Sequence, residues 1–530
     1  MKKIVLVLII VLSILLMTGC KKEIDEIDEI DEIDFSEVYP NNGTYYELFV
    51  RSFADSDNDG VGDFNGITAK LGYLKDLGIN GIWLMPIHPS PTYHGYDVTD
   101  FYDVNPEYGT MTDFENLLIA AEELEIDIII DFVINHTSSE NPWFQGWKDG
   151  DPDYAGFYRL ITANDERKDE NGAWGQNIWH NTTGGYYCGY FGAGMPDLNW
   201  SNENVQAEML NVASFWIEKG VDGFRLDAAL HLEGVGEVKS PTVPIDSTLV
   251  KLEYFEYQIE NLYPDIYIVG EIYDAFSVSS LFYQSMDSAL NFEIGDEILR
   301  AINTGFSTDY VSTIVRYNEI INSYESDGID APFLRNHDQD RMASILNGNI
   351  SKLKLAAEML LTLPGNPFIY YGEELGMFGI KSTGPIWDET RRLPLPFGDD
   401  YTTTWFVDEF NIELDSALQQ DADSNSLFNV YKSILAVRNN SLALKYGDIF
   451  PYEESSNALQ GYYRVFNYNQ DNQEIVLVLH NVSEGEYKLY LEDEDVMYYS
   501  KGIDNYNGSV EERSTLILRM NNELIGDLYE

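Results

Sequence analysis

From Tyr45 onward, short apolar runs rich in β-branched and aromatic residues alternate with longer segments in which apolar residues recur every three or four positions. The runs read as strands buried on both faces, and the longer segments as amphipathic helices that cover them. Eight runs qualify: Tyr45–Val50, Gly81–Met85, Ile126–Ile134, Gly223–Asp227, Ile266–Glu271, Ala289–Glu293, Pro332–Arg335 and Pro367–Tyr371. Helical segments such as Thr112–Glu125, Asn204–Glu218 and Ser351–Leu361 lie between them, and one over about Ser426–Arg438 closes the series. Eight βα units in succession predict a parallel (β/α)8 TIM barrel of the α/β class. Two stretches break the pattern. His136 to Trp200 is rich in Gly, Asn, Asp and aromatics and reads as an insertion after the third strand. Beyond Leu442, two-residue alternation at Tyr462–Tyr468, Glu474–His480 and Thr515–Arg519, separated by Asn/Asp/Gly turns, predicts a small antiparallel β-domain. The expected boundaries are 41–135 and 201–441 for the barrel, 136–200 for the insertion and 442–530 for the C-terminal domain.

The N-terminus follows a different pattern. Lys2 and Lys3 precede an apolar run from Ile4 to Met17 that ends at Thr18-Gly19-Cys20. That layout predicts a signal peptide over residues 1–19, too short for a comfortable membrane span. With a cysteine directly after small residues, it resembles a bacterial lipoprotein signal, which implies lipidation of Cys20 and an extracytoplasmic protein anchored to the membrane. The alternative is an ordinary secretory signal with a chance cysteine. With Cys20 lipidated, Cys188 is the only other cysteine, so a disulfide framework is excluded. Residues 20–40 contain Glu-Ile-Asp four times over, from Glu23 to Asp34. Isoleucines every third residue drift around a helix and give no lasting stripe, so the segment reads as an extended acidic tether, with a short frayed helix as the alternative.

Composition sharpens the surface more than the fold. The 530 residues are 44% hydrophobic, which excludes a disordered chain. Lys+Arg number 32 against 90 Asp+Glu, a formal net charge of −58. Nucleic acid is therefore not an expected partner, because phosphate binding depends on clustered Lys and Arg. A monomer is the expected state.

In a barrel of this kind the chemistry sits at the C-terminal strand ends, and here those ends are polar. The third strand ends Asp131-Phe-Val-Ile-Asn135-His136, the fourth Arg225-Leu-Asp227, the fifth at Glu271 and the seventh Arg335-Asn-His337-Asp338. Carboxylates, histidines and an arginine at one face suit acetal cleavage by two acids, one ionised and one protonated. Asp227 reads as the nucleophile, with Arg225 two residues earlier on the same strand face expected to hold its pKa down. Glu271 ends an apolar run, where a drier setting raises its pKa as a general acid requires.

These strand ends, together with His94-Gly-Tyr96-Asp97 and Met195-Pro-Asp197-Leu-Asn199, resemble the ordered motif set of the α-amylase superfamily of glycoside hydrolases. The resemblance implies a catalytic barrel, a B-domain after strand three, a C-terminal β-sandwich and a retaining mechanism on α-glucans. It further implies Asp227 as nucleophile, Glu271 as acid/base and Asp338 as transition-state stabiliser. Arg225 would orient Asp227, His136 and His337 would bind hydroxyls before the scissile bond, and Tyr96 would stack on the ring. Asn135, Asp197 and the His231 carbonyl match three ligands of a calcium that joins barrel to B-domain in many members.

A second metal reading comes from the residues themselves. Asp55-Ser-Asp57-Asn-Asp59-Gly60-Val61-Gly62-Asp63 spaces carboxylates at alternate positions about a glycine turn, as in oxygen-ligand calcium loops, though Gly66 stands where a bidentate Glu would close an EF-hand. A solvated acidic turn is the alternative. By resemblance Asp55, Asp57, Asp59, Asp63 and the Val61 carbonyl would hold Ca2+ or Mg2+. For specificity, Ala228 directly after the nucleophile resembles members acting on α-1,4 bonds, whereas Leu230 stands where many α-amylases carry a lysine for the leaving-group sugars. Trp143, Trp174, Trp179, Tyr186 and Tyr187 of the insertion are candidate sugar-stacking residues, with packing as the alternative for each. Hydrolysis of α-1,4 links in starch or maltodextrins is the expected activity. A 4-α-glucanotransferase or an oligo-α-1,6-glucosidase or neopullulanase-like enzyme with the same residues is the alternative, and a non-catalytic carbohydrate-binding protein a remote one.

Overall fold

The computed structural model describes residues 33–39, 41–232, 245–324, 328–489 and 495–529. The predicted signal peptide, Cys20 and most of the acidic tether lie outside the described residues. Residues 33–39 form a unit of their own, with one helical turn, Phe35–Val38, capped by Asp34. Among the described residues no helix is long and apolar enough to cross a membrane.

The eight predicted strands form one parallel sheet. They are β1 (Tyr45–Leu48), β2 (Gly81–Leu84), β3 (Asp127–Phe132), β4 (Gly223–Leu226), β5 (Tyr267–Gly270), β6 (Ser288–Asn291), β7 (Ala331–Pro332) and β8 (Phe368–Tyr370). Spatial order follows chain order from β1 to β7, β8 pairs with β1, and a Phe333–Phe368 bridge closes the ring. The sequence reading carries β6 to Glu293, but Phe292 and Glu293 open the helix Phe292–Thr304. Asn291 explains the change: its side chain caps that helix by accepting from the Ile294 N–H.

Two-residue periodicity stacks the barrel interior in layers. Tyr45, Trp83, Ile129, Tyr267, Val269, Leu290 and Phe368 point inward and form an apolar plug, with Tyr45 stacked between Tyr267 and Phe368 at 5.1 Å each. Two residues further along their strands, the same faces present Glu47, Asp131 and Glu271, and Arg225 follows Gly223 in the same way. In register, Asp131 of β3 lies beside Arg225 of β4. The plug is thus the dry floor on which a charged layer rests.

The helices outside are held by local signals. Met111–Glu122 starts with a Thr110/Asp113 capping box, and Glu203–Lys219 runs from an Asn202 cap to Gly220 at φ +104°. The insertion after β3 contains the helix Pro142–Asp149 and an antiparallel sheet of Leu160–Ile161, Trp179–Thr182 and Gly185–Cys188. The C-terminal part is a five-stranded antiparallel sheet, with a two-stranded ribbon of Tyr487–Lys488 and Ser509–Val510 packed on the Leu477, Leu479, Leu516 and Leu518 face.

Candidate active site

At the C-terminal end of the barrel lies a cleft of about 500 Å³ whose walls include Tyr96, His136, Asp227, Glu271 and Asp338. Arg225 is at its base, fully buried, with its guanidinium 4.9 Å from the centre of the Trp83 ring. Its Nη1 donates to Asp131 Oδ1 at 2.8 Å and to Asp227 Oδ1 at 2.7 Å, and its Nη2 pairs with Glu271 Oε2 at 2.9 Å. One cation therefore holds three carboxylates.

Burial pushes Asp227 up to about 6, against the pull of Arg225 and with help from the Asp131 charge. The sequence reading had Arg225 hold this pKa down. Arg225 does act in that direction, but it is shared with Asp131 and Glu271, and desolvation outweighs it. Glu271 is raised, as expected, first by burial. Its Oε2 also accepts the Ala228 N–H at 3.0 Å. Ala228 adopts φ +50°, a left-handed conformation uncommon for a residue with a Cβ, and one that links the nucleophile's neighbour to the acid.

The opposite wall is a charge relay of fixed partners. His337 Nδ1 contacts buried Glu47, while its Nε2 lies 2.7 Å from the Tyr96 hydroxyl and 3.3 Å from Asp338 Oδ2. Burial lowers the His337 pKa, but Asp338 and Glu47 reverse this and bring it up to about 9. With both ring nitrogens protonated, Nε2 donates to Tyr96, whose hydroxyl donates in turn to Asp131 Oδ2 at 3.0 Å. Burial pushes Asp338 upward, yet His337, Arg392 and Arg225 together hold it well below the usual carboxylate range. Arg392 donates to it at 2.9 Å. His136 is neutral, its pKa lowered by burial to about 3, and its Nε2 is 3.1 Å from the Tyr96 carbonyl. The loop carrying Tyr96 is tied down by Asp97, which accepts from the Ser90 hydroxyl at 2.6 Å.

All seven predicted catalytic and substrate-binding residues therefore converge. Glu47, Trp83, Asp131 and Arg392 complete the site without having been assigned a role from sequence. Glu47 and Asp131 carried a legible signal, a carboxylate inside an apolar strand. Of the five insertion aromatics, Trp174 lines the cleft. Trp143 stacks on Phe101 at 5.2 Å, Trp179 and Tyr187 are buried, and Tyr186 packs against the Trp179 cluster.

The two predicted metal sites differ. Asp55, Asp57 and Asp63 bring carboxylate oxygens within 4.8 Å of one another. Asn58 at φ +67° and Gly60 at φ +99° wind the loop, and Asp63 also caps the helix Phe64–Leu77 through the Gly66 N–H. An all-oxygen donor set on a tight loop suits a hard divalent cation, and Asp55, Asp57 and Asp63 are the residues that would hold one. Asp59 is not in that group; its Oδ1 accepts the Val61 N–H at 2.8 Å. At the other place, Asp197 accepts from the Cys188 thiol at 3.0 Å, the Tyr190 N–H at 3.1 Å and Asn135 Nδ2 at 3.3 Å. Asn135 Oδ1 is buried without a hydrogen-bond partner. The His231 ring stacks on Tyr190 at 4.3 Å.

Comparison with known proteins agrees with this geometry. Residues 47–447 match the Alpha-amylase family, described as the alpha amylase catalytic domain. "Alpha-amylase 3" of Dictyoglomus thermophilum is 39% identical over 502 residues, covering 92% of this chain and 90% of its own. "4-alpha-glucanotransferase" of Thermotoga maritima is 36% identical over 339 residues, 63% of this chain and 72% of its own. The crystal structure of alpha-amylase from H. orenii superimposes with a TM-score of 0.81 at 35% identity, covering 91% of this chain and 99% of that one.

Proposed function

The chain belongs to the α-amylase family of glycoside hydrolases, and from that premise we propose that it cleaves internal α-1,4-glucosidic bonds of starch and malto-oligosaccharides with retention. The observation that carries the reading is the single Arg225 guanidinium holding both Asp227 and Glu271 at the base of an open cleft. Adjacent nitrogens of one group favour the closer carboxyl spacing of retaining enzymes, about 5–5.5 Å, over the wider spacing, about 6.5–9.5 Å, of inverting ones. Asp227, ionised above about pH 6, attacks the anomeric carbon while protonated Glu271 gives its proton to the leaving oxygen. Water then attacks the glycosyl-enzyme as Glu271 takes back a proton. Asp338, kept ionised, grips sugar hydroxyls, His337, kept charged, holds Asp338 and Tyr96 in place, and Tyr96 offers its ring face. Ala228 supports α-1,4 over α-1,6 specificity.

Asp227→Asn and Glu271→Gln should each lower kcat on maltoheptaose by about three orders of magnitude or more while the protein stays folded. Near-native turnover in either variant overturns the assignment, and glucose released from isomaltose overturns the α-1,4 preference. The N-terminal sequence supports an enzyme outside the cytoplasm on a Cys20 lipid anchor, and the acidic loop supports Ca2+ at Asp55–Asp63 as a structural ion.

A further inference from the structure

Asp338 stands half open to the cleft, with its side chain 50% exposed, so its oxygens are fixed by their bonds to His337 and Arg392 rather than by packing. Arg392 comes from the segment that follows β8. Its Nη2 donates to Asp338 Oδ1 at 2.9 Å and its Nε to the His337 carbonyl at 3.3 Å. Two supports hold Arg392 in that pose. Its guanidinium lies 5.8 Å from the centre of the Tyr93 ring, and its backbone carbonyl accepts the Ser52 hydroxyl. Both supports lead to one residue. Trp405 stacks on Tyr93 at 5.7 Å with 22° between the ring planes, and its Nε1 donates to Ser52 Oγ at 2.8 Å.

Trp405 is fixed in turn. The Arg51 guanidinium lies 5.6 Å from its ring, and Phe49 meets it edge-on at 6.0 Å. The backbone leading into it is bonded to the Asp55–Asp63 loop: the Asp55 N–H donates to the Tyr401 carbonyl and the Thr404 N–H to the Gly60 carbonyl, each at 2.8 Å. A Cβ at position 60 would come within 2.8 Å of Thr404 Oγ1, so the glycine permits that approach. Loop, Trp405 and Arg392 thus form one continuous series of contacts that ends on Asp338. A displacement of about 1 Å at a group that must meet the transition state costs on the order of a hundredfold in rate.

Resting on the hydrolase reading above, we propose that Trp405 is a positioning residue for Asp338, acting through Arg392, and that the Asp55–Asp63 loop is coupled to the reaction by the same route. Trp405 does this without touching the glucan: its ring holds the guanidinium end of Arg392 through Tyr93, and its Nε1 holds the backbone end through Ser52.

The test is a set of double-mutant cycles read as kcat and KM on maltoheptaose. Active sites are counted by covalent trapping of Asp227 with a fluorinated glycosyl fluoride, so that lost folded protein does not register as lost rate. Trp405→Ala should lower kcat about tenfold or more with a smaller change in KM. In an Arg392→Ala background the same substitution should change kcat by less than about twofold. An equal loss in both backgrounds, or native kcat in Trp405→Ala, overturns the positioning role and leaves the hydrolase reading standing. Trp405→Phe and Ser52→Ala break the same bridge with little change in shape, so the double variant should lose no more than either single one; additive losses overturn the bridge. Asp55→Asn should lower kcat and weaken the near-UV circular dichroism of the Trp405–Tyr93 pair in the native chain, and do neither in Trp405→Ala; additive effects overturn the coupling to the loop. Absence of cleavage by the native enzyme overturns the hydrolase reading and this one with it.

Discussion

Asp131→Asn removes one of the three charges on Arg225 while keeping the shape of the side chain. The oxygens of Asp131 and Asp227 both sit on Arg225 Nη1, at 2.8 and 2.7 Å, so the two charges are at most about 5.5 Å apart. At an effective dielectric of about 20 they repel by about 3 kcal/mol, or about two pKa units. The loss of Asp131 also leaves more of the guanidinium to Asp227, which acts in the same direction. Asp227 stands near 6 because burial and Asp131 outweigh Arg225, so the substitution should bring it down by about two units. The readout is kcat/KM on a chromogenic maltoside across the acid range, which follows the free enzyme. Three carboxylates on one cation titrate together, so the acid limb reports the cluster rather than one residue. Activity needs Asp227 ionised, so the limb, expected near pH 6 in the native enzyme, should move to lower pH. A limb that stays in place or moves upward would show that Asp131 does not act on Asp227 through its charge.

Exhaustive chelation should lower the melting temperature and added Ca2+ should restore it; a site saturated about a hundredfold over its Kd contributes about 2.7 kcal/mol. Asp55→Asn should abolish that response, and a melting temperature indifferent to chelation removes the loop site. The full-length protein should partition into detergent and Cys20→Ala into the aqueous phase; equal partitioning refutes the anchor. Melting temperature and turnover should both rise from low salt to molar NaCl, and a flat or falling profile counts against a surface adapted to brine.

The barrel was legible because its strands are buried on both faces and leave unbroken apolar runs, as at Ile128–Ile130. Strand ends were less so. Asn291 turns from strand into cap, and nothing in a run of Ala-Leu-Asn-Phe-Glu marks which residue makes that switch. Asp227, Glu271 and Asp338 stood out because charge at an apolar strand end needs a reason. The direction of the Asp227 shift was not readable, since Arg225 looks like a private partner until Asp131 and Glu271 are seen on the same guanidinium. The contact from the Ala228 N–H to Glu271 depends on a positive φ that alanine does not advertise. Trp174 differed from Trp143 and Trp179 only in where the folded insertion left it.

The same competition between burial and pairing accounts for the acidity of the whole chain. Among the described residues, seven arginines are buried: Arg51, Arg225, Arg341, Arg391, Arg392, Arg438 and Arg464. They are drawn from only 32 Lys+Arg in the sequence. Each meets a requirement that solvent cannot satisfy, as where Arg225 holds three carboxylates and Arg438 donates to the Leu361, Leu363 and Gly365 carbonyls. Among the described residues ten Asp and Glu are buried, a small share of the 90 in the sequence, so the imbalance of the described part belongs to its surface. A surface of that sign repels itself wherever ions do not screen it, over about 30 Å at 0.01 M salt and only about 3 Å at 1 M. Salt should therefore act on the exterior and leave the paired interior, and with it the pH profile, largely unchanged. A salt response that moved the acid limb as far as Asp131→Asn does would place the surplus charge at the active site instead.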